Sequence, residues 1–209
     1  FRHVNIALVN EMARVCHELQ IDIWEVIRGA ATKPFGFMKF TPGAGVGGHC
    51  IPIDPNYLSY EVRRRLGYPL RFVELAQEIN NSMPSYVVER IAEKLNDQKK
   101  AVNGSTVLLL GVTYKPNIAD QRESPAIPVA RELLKRRANV RFHDPFVPVW
   151  NIGSGESLTS EQDLQEAVSD ADIVVLLQAH SPYDASALQK GSSLFLDTCG
   201  IIDESSDRL

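Results

Sequence analysis

Residues 106–111 read TVLLLG, a short and wholly apolar run that ends at a glycine. A run of this length between turn residues is typical of a buried strand. Three further candidate strands follow it, at 140–143, 173–177 and 194–197, and segments with helical spacing separate them. Apolar strands that alternate with helices predict an α/β fold, a parallel sheet with helices on its faces.

The first hundred residues have helical spacing instead. Apolar residues from Val4 to Leu19 form one helical stripe, and shorter stretches at about 22–31 and 56–66 continue the pattern. A longer stretch, 70–96, contains Pro84, so we expect a kink or break near Ser82–Met83. The polar segment before Asn103-Gly104 is the best domain boundary. We therefore expect a helical domain over 1–102 and an α/β domain over 103–209.

Composition excludes several classes of function. The chain has 209 residues and a formal net charge of −4, which provides no general attraction for nucleic acid or an anionic membrane. No run of about 18 apolar residues is present that would predict a membrane-spanning helix. Three cysteines lie far apart and predict neither a disulfide framework nor a metal site. A reducing compartment is the simpler interpretation, so we expect a cytoplasmic protein. Phe1 opens directly into a helical pattern, which we interpret as the start of a piece of a longer chain.

Residues 33–55 hold four prolines and five glycines, a density that predicts a shaped loop rather than a helix or a central strand. Within this loop, residues 43–48 match the spacing G-x-G-x-x-G. The dinucleotide fingerprint also needs a preceding strand and a helix that begins within it. Pro42 before the glycines and Pro52 after them argue against that fingerprint. The glycines instead allow the backbone to approach a ligand closely, or they shape a purely structural loop.

Cys50 ends the glycine run, and a cysteine in such a loop is a candidate nucleophile or, alternatively, a buried structural thiol. His49 could serve as its base, although adjacent side chains normally point apart. Asp54 is either a base that activates water or a turn residue before a proline. We expect Cys16 to lie in the core and Cys199 to be structural.

A second candidate site follows the strand at 106–110. Ligands of open α/β sheets bind at the carboxyl ends of the strands, where Lys115 could meet a phosphate. Arg122 lies in the same connection; a solvated lysine and a salt-bridged arginine are the alternative. A single glycine here favours a mononucleotide over a dinucleotide. Asp144 is interpreted as a strand-ending turn residue rather than as a ribose ligand.

Two of these motifs together resemble one protein family. Residues 42–55, PGAGVGGHCIPIDP, look like the active-site cysteine loop of the nucleotide-sugar 6-dehydrogenases, the UDP-glucose/GDP-mannose dehydrogenase family. The segments GVTYKP at 111–116 and RESP at 122–125 resemble its UDP-binding domain. His49 and the lead-in at 33–38 are most similar to the bacterial UDP-N-acetylglucosamine 6-dehydrogenases. The resemblance implies a helical central dimerisation domain followed by a Rossmann-like UDP-binding domain.

The resemblance also implies roles for individual residues. Cys50 would attack the C6 aldehyde and pass through a thiohemiacetal and a thioester, while Asp54 would help to activate water. The residues implied to bind the UDP-sugar are Thr41, Pro42, Gly43, Gly45, Val46, Gly47, Tyr114 and Lys115. Those implied to face NAD are Cys50, Ile51, Pro52, Ile53 and Arg122. No metal is implied. Two departures from the family are Cys199, where an arginine is expected, and Ala44, where a proline is common.

We therefore expect part of an NAD-dependent UDP-N-acetylhexosamine 6-dehydrogenase, with UDP-N-acetylglucosamine as substrate, in bacterial surface-polysaccharide precursor synthesis. UDP-N-acetylmannosamine and UDP-glucose are alternative substrates. We also expect a homodimer through the central helices, a missing N-terminal NAD-binding domain, and hence no turnover by this piece alone. A thiol hydrolase and a non-catalytic nucleotide-binding or dimerisation module are the competing classes.

Overall fold

The computed structural model describes residues 1–153, 155–202 and 207–209. Four helices come first, and strands and shorter helices follow them. The elements are α1 Arg2–Glu18, α2 Ile23–Ala30, α3 Cys50–Leu66, α4 Arg71–Asp97, β1 Thr106–Leu110, α5 Ala126–Lys135, β2 Asn139–His143, β3 Val149–Gly153, β4 Glu156–Thr159, α6 Leu164–Asp170, β5 Ile173–Leu176, α7 Ala185–Gly191 and β6 Phe195–Asp197. The order agrees with the predicted succession of a helical part and an α/β part.

The main sheet has the strand order β2-β1-β5-β6, and all its described pairings are parallel. Val107 of β1 lies opposite Val140 of β2 and Ile173 of β5. The predicted parallel sheet is therefore confirmed. An antiparallel hairpin of β3 and β4 was not predicted. Its Trp150 is fully buried, with its ring 5.4 Å from that of Phe142, so the hairpin extends the core.

Helices cover both faces of this sheet because successive side chains of a strand point to opposite faces. Val107 and Leu109 of β1 belong to the core that contains α4 and α5. Leu108 and Leu110 belong to the second core, which α6 and α7 cover. All four side chains are fully buried. A strand that is apolar on both faces is what such a double covering requires.

The apolar stripe predicted along α1 lies mainly on the surface. The residues that α1 buries are His3, Ala7, Asn10, Ala13 and Cys16. Four members of the stripe are exposed, namely Leu8, Met12, Val15 and Leu19. The periodicity therefore identified the helix correctly, but small and polar side chains form most of its buried face.

Helix α3 corrects the predicted loop over 33–55, because the helix already begins at Cys50. Amide N–H groups in a first helical turn have no partner within the helix, so Pro52 removes no bond there. Pro55 removes one, and the helix continues through it to Leu66. Proline density alone was therefore a poor guide to this boundary.

Helix α4 is continuous from Arg71 to Asp97, so it is not broken near Ser82–Met83, and the kink that was the other expectation there stays a prediction. Helix α1 packs along it as far as Tyr86 and Glu93, and its second half is also buried against the sheet and α5. Met83 and Val87, on either side of Pro84, are fully buried, so packing supports the helix where the proline removes a bond. One core thus runs across the segment chosen as the domain boundary, and that boundary stays a prediction.

Candidate functional site

The glycine loop, defined as residues 43–48, lies where the helical part meets the sheet. A Cβ atom built on Gly47 would lie 2.5 Å from the Cβ atom of Tyr114 and 2.8 Å from the carbonyl oxygen of Glu123. One built on Gly48 would lie 2.8 Å from the ring of Tyr114. No side chain fits at such distances, so Tyr114 approaches the loop as closely as it does because both residues are glycines.

Gly45 has a second reason to be glycine, since its φ of +139° is one that side chains rarely allow. A Cβ atom there would meet Pro125 at 3.0 Å and the carbonyl oxygen of Asn80 at 3.5 Å. The close contacts that these glycines allow are thus made with other parts of this chain, and the close approach of a ligand stays a prediction. No strand precedes the loop, and α3 begins only after it, which agrees with the rejection of the dinucleotide fingerprint.

Two buried asparagines anchor the start of the glycine loop. The amide N–H of Gly43 donates to Oδ1 of Asn10 at 3.0 Å. Asn10 in turn donates from Nδ2 to Oδ1 of Asn80 at 3.0 Å, and Asn80 donates to the carbonyl of His3 at 3.3 Å. Because unpaired polar groups are costly to bury, this chain of bonds joins α1, α4 and the loop into one unit. Neither asparagine was predicted from the sequence.

Cys50 is the first residue of α3, and its side chain is exposed. Asp54 is exposed and lies four residues later in the same helix, so the two side chains share one helical face. Free amide N–H groups of a first helical turn favour negative charge beside them. His49 precedes the helix, and no hydrogen bond joins it to Cys50 among the described residues. The structure therefore brings together Cys50 and Asp54, without a cysteine–histidine dyad.

The other two thiols have different surroundings. Burial raises the pKa of Cys16 above its ordinary value, and Asp22 adds to the effect. Burial also raises the pKa of Cys199 to about 12, with a further contribution from Asp197. Both thiols therefore remain protonated at neutral pH, in agreement with their predicted structural roles.

The connection after β1 supplies the other side of the site. Tyr114 packs on the glycine loop, while Lys115 is exposed at the carboxyl end of β1. The carbonyl of Arg122 accepts a hydrogen bond from the amide of Gly48 at 3.3 Å. Arg122 is largely exposed and pairs with Asp120, and its guanidinium N–H groups lower the pKa of that carboxyl to about 2. Lys115, Tyr114 and Arg122 thus belong to one segment that contacts the glycine loop.

The carboxylate of Asp144 accepts hydrogen bonds from groups of the protein itself, as expected of a turn residue. Its carboxylate accepts the amide N–H groups of Val112 and Phe146, both at 2.8 Å, and a bond from His180 at 3.0 Å. These bonds agree with the interpretation of Asp144 as a turn residue. They occupy the carboxylate that a ribose would need as its partner.

The end of β6 forms a further part of the junction. The buried carboxylate of Asp197 accepts four backbone N–H groups, from Cys199, Gly200, Ile201 and Ile202. Gly200 has a φ of +65°, and a Cβ atom there would lie 2.4 Å from the ring of Trp24 in α2. This tight turn, which the sequence analysis did not single out, brings Thr198 beside Gly43.

The described residues lack two kinds of feature. They contain no group of three or more histidine, cysteine or acidic side chains arranged to hold a metal ion. None of their helices combines the length and the apolar character that crossing a membrane requires.

Known proteins resemble this chain along most of its length. Residues 1–82 match the central domain of the UDP-glucose/GDP-mannose dehydrogenase family, and residues 108–204 match the UDP binding domain of that family. A UDP-N-acetyl-D-mannosamine dehydrogenase of Methanocaldococcus jannaschii is 38% identical over 184 residues, which are 88% of this chain and 39% of that protein. A UDP-N-acetyl-D-glucosamine 6-dehydrogenase of Salmonella typhi is 35% identical over 175 residues, 84% of this chain and 40% of the relative.

Solved structures give the same result. The UDP-D-ManNAc dehydrogenase of Pyrococcus horikoshii superposes with a TM-score of 0.82 at 29% identity, and the match covers 98% of this chain and 47% of the other. The chain therefore spans less than half the length of these relatives. Both family matches fall on the parts that form the junction described above. The chain belongs to the UDP-glucose/GDP-mannose dehydrogenase family, of which it contains the central domain and the UDP-binding domain.

Proposed function

We propose that this chain is the central and UDP-binding part of an NAD-dependent UDP-N-acetylhexosamine 6-dehydrogenase. The observation that carries the proposal is the junction of the glycine loop with Tyr114, which leads directly to the exposed thiol of Cys50. UDP-N-acetylglucosamine is the first candidate substrate, and UDP-N-acetylmannosamine and UDP-glucose are the alternatives. The product would be a uronic acid precursor of a bacterial surface polysaccharide.

Cys50 carries the covalent chemistry in this proposal. Its thiolate adds to the C6 aldehyde of the sugar and forms a tetrahedral thiohemiacetal, whose carbon can release hydride as the C–O bond becomes a carbonyl. NAD, when bound, accepts the hydride of each of the two oxidations. Water then cleaves the resulting thioester, which yields the carboxylate and returns the thiol.

The position of Cys50 suits these steps. Negative charge on its sulfur lies at the N-terminal end of α3, where the first amide N–H groups stabilise it. Asp54, one turn further on the same face, is the group placed to take a proton from the attacking water. No histidine is needed for either role.

The remaining roles fall to the two loops. In this proposal the backbone of Thr41, Pro42, Gly43, Gly45, Val46 and Gly47 surrounds the sugar and the phosphates. Proline has no N–H to donate, and the N–H of Gly43 already donates to Asn10. Lys115 provides an exposed cation for a phosphate, and Tyr114 flanks it. The first turn of α3, Cys50, Ile51, Pro52 and Ile53, together with the cation of Arg122, fits the anionic part of NAD. These few groups can hold only a part of a dinucleotide.

We further propose that the exposed stripe of α1 is covered by a second copy of the chain in a homodimer. Leu8, Met12 and Leu19 form an apolar surface that a solvated helix would not need. Light scattering should report a dimer for the wild type and a monomer for the double variant Leu8→Glu/Met12→Glu. The control Glu11→Gln alters a neighbouring exposed position of the same helix. The cytoplasmic location remains a prediction.

The decisive experiment joins this chain to its natural upstream residues and follows NADH formation with the three UDP-sugars. We expect a signal with a UDP-N-acetylhexosamine that Cys50→Ala abolishes and Cys199→Ala leaves in place. The piece studied alone should give none. A joined chain that gives no Cys50-dependent NADH with any of the three sugars contradicts the proposal.

A further inference from the structure

Two buried side chains outside the proposed active site hold the segment that carries Tyr114 and Lys115. Residues 112–117, here called the lysine loop, connect at both ends to the pair formed by Asp144 and His180. The side chains of this pair are completely inaccessible to solvent. Asp144 follows β2 and His180 follows β5, so the pair joins the ends of the two strands that flank β1.

The first anchor lies at the start of the lysine loop. The amide N–H of Val112 donates to Oδ2 of Asp144 at 2.8 Å, and the same oxygen lies 3.0 Å from Nε2 of His180. Thr113 lies beside them, with its Oγ1 atom 3.3 Å from that nitrogen. Its hydroxyl donates to the carbonyl of Lys115 at 2.8 Å, which turns the backbone at the lysine.

The second anchor lies at the end of the loop. The amide N–H of Asn117 donates to Nδ1 of His180 at 2.9 Å. The Asn117 side chain adds two bonds to Ser181, one as donor to its Oγ and one as acceptor from its amide. Asn117 has a φ of +63°, a left-handed conformation that tertiary contacts must support. Tyr114 and Lys115 therefore lie between two fixed points.

These contacts determine the tautomer of His180. Because Nδ1 accepts a backbone N–H, it carries no proton, so Nε2 must hold the proton that Asp144 accepts. In a catalytic triad, by contrast, the acid and the hydroxyl contact opposite nitrogens of the ring. Here Asp144 and Thr113 share one nitrogen, and a backbone amide occupies the other. His180 cannot take a proton from Thr113, which excludes a second hydrolytic site at this cluster.

We infer that His180 is a positioning residue for nucleotide binding: it sets the lysine loop so that Lys115 and Tyr114 meet the UDP moiety. The inference rests on the proposed function. The rings of Phe146 and Tyr183 pack against His180 at centroid distances of 5.0 and 5.8 Å, and they leave the ring no room to turn. The Asn117 contact is the one that places Lys115, because it closes the loop on the far side of the lysine.

Two isosteric variants separate the two nitrogen atoms of His180. His180→Asn keeps an acceptor near the position of Nδ1 and loses the donor to Asp144. His180→Gln keeps a donor near Nε2 and leaves the amide of Asn117 without an acceptor. Calorimetric titration of the chain with UDP should show about tenfold weaker binding for H180Q and a change below about threefold for H180N, because only H180Q releases the amide of Asn117 and with it the far end of the lysine loop. Hydrogen exchange of the Asn117 amide should accelerate in H180Q alone.

Controls distinguish the possible failures. Lys115→Ala removes the proposed phosphate contact directly and should weaken UDP binding whatever His180 does. Ser181→Ala alters an exposed bond of Asn117 without disturbing the core, and it should weaken UDP binding about twofold to threefold. If the wild-type chain binds no UDP, the proposed function fails. If UDP binds the wild type, H180Q and H180N equally well, or if both variants lose binding to the same extent, the positioning role of the Asn117 contact is wrong.

Discussion

The two loops that meet at the proposed site are held in place by opposite means. In the glycine loop, residues 43–48, neighbouring residues pack directly on the backbone, because the glycines have no side chains that would keep them away. The lysine loop, residues 112–117, is held by hydrogen bonds to buried side chains, since its backbone amides donate to Asp144 and His180. The first arrangement is sensitive to added volume and the second to lost hydrogen bonds.

The largest expected contrast concerns the thiols of the two regions. Cys50 follows the glycine loop and is exposed, whereas burial raises the pKa of Cys199, beside the sheet, from 9.0 to about 12. A shift of this size lowers the thiolate population about a thousandfold. Iodoacetamide at neutral pH, followed by peptide mass spectrometry, should therefore modify Cys50 long before Cys199. Comparable rates at the two thiols would contradict the raised pKa of Cys199, and Cys50→Ser identifies the fast phase.

Added volume should affect the glycine loop strongly. Gly47→Ala places a methyl group against the Tyr114 Cβ atom and the Glu123 carbonyl, and backbone cannot move aside cheaply. We expect a loss of about 2–3 kcal/mol in the free energy of unfolding, measured by urea denaturation.

The matched control for this substitution is Gly29→Ala in α2. A Cβ atom there meets nothing within 4 Å. An alanine inside a helix should stabilise the chain by about 0.5–1 kcal/mol. If Gly47→Ala proves as stable as the wild type, the close packing of Tyr114 on the loop is wrong.

The side chain of Asn10 anchors the glycine loop at Gly43, so the loss of that hydrogen bond should lower stability. Asn10→Leu leaves the amide of Gly43 and the side chain of Asn80 without their partner. The cost should be about 2 kcal/mol of unfolding free energy, since Asn80 is buried and the amide of Gly43 is half-buried. Asn81→Leu, at the neighbouring exposed position of α4, should change stability by less than about 0.5 kcal/mol. Equal effects of the two substitutions would contradict the role of Asn10 as an anchor of the glycine loop.

The smallest expected effect is that of pH on the ion pair beside the lysine loop. The N–H groups of Arg122 lower the pKa of Asp120 from 3.8 to about 2. The pair therefore contributes to stability above the unfolded-state pKa and loses that contribution as the pH falls through about 2. Carbon NMR of the carboxyl group should find this low midpoint and its return toward 3.8 in Arg122→Gln. The glycine loop should hardly respond, because Gly48 bonds to the backbone of Arg122.

The same contrast explains how much the sequence could reveal. Glycines and a cysteine in one short run are visible locally, so the glycine loop and Cys50 could be singled out. Strands β1 and β5 were equally visible because burial on both faces requires apolar residues throughout. Trp150 and Ile152 alternate as in a strand, and this signal could have identified the missed hairpin.

The partners of the lysine loop could not be found in this way. His180 lies 63 residues from Asn117 and 36 from Asp144, and nothing in its neighbourhood distinguishes it from a surface histidine. Asn10 and Asn80, 70 residues apart, are hidden for the same reason. The start of α3 was missed for a different reason. A proline in the first turn of a helix removes no hydrogen bond within the helix, so it does not mark a loop. Polar partners become visible only once the topology is known.

The continuous helix α4 has a consequence for how members of this family can exchange parts. Helix α1 packs along both of its halves, and from Met83 onward the helix is also buried in the core that contains the sheet. A recombination event at residue 103 would place the second half of α4 from one parent against the strands of the other parent. Crossovers within 71–80, ahead of Met83, would transfer the sheet together with the helical surface that fits it. Viable chimeras should therefore cluster at crossover points inside the helix rather than at the turn that follows it.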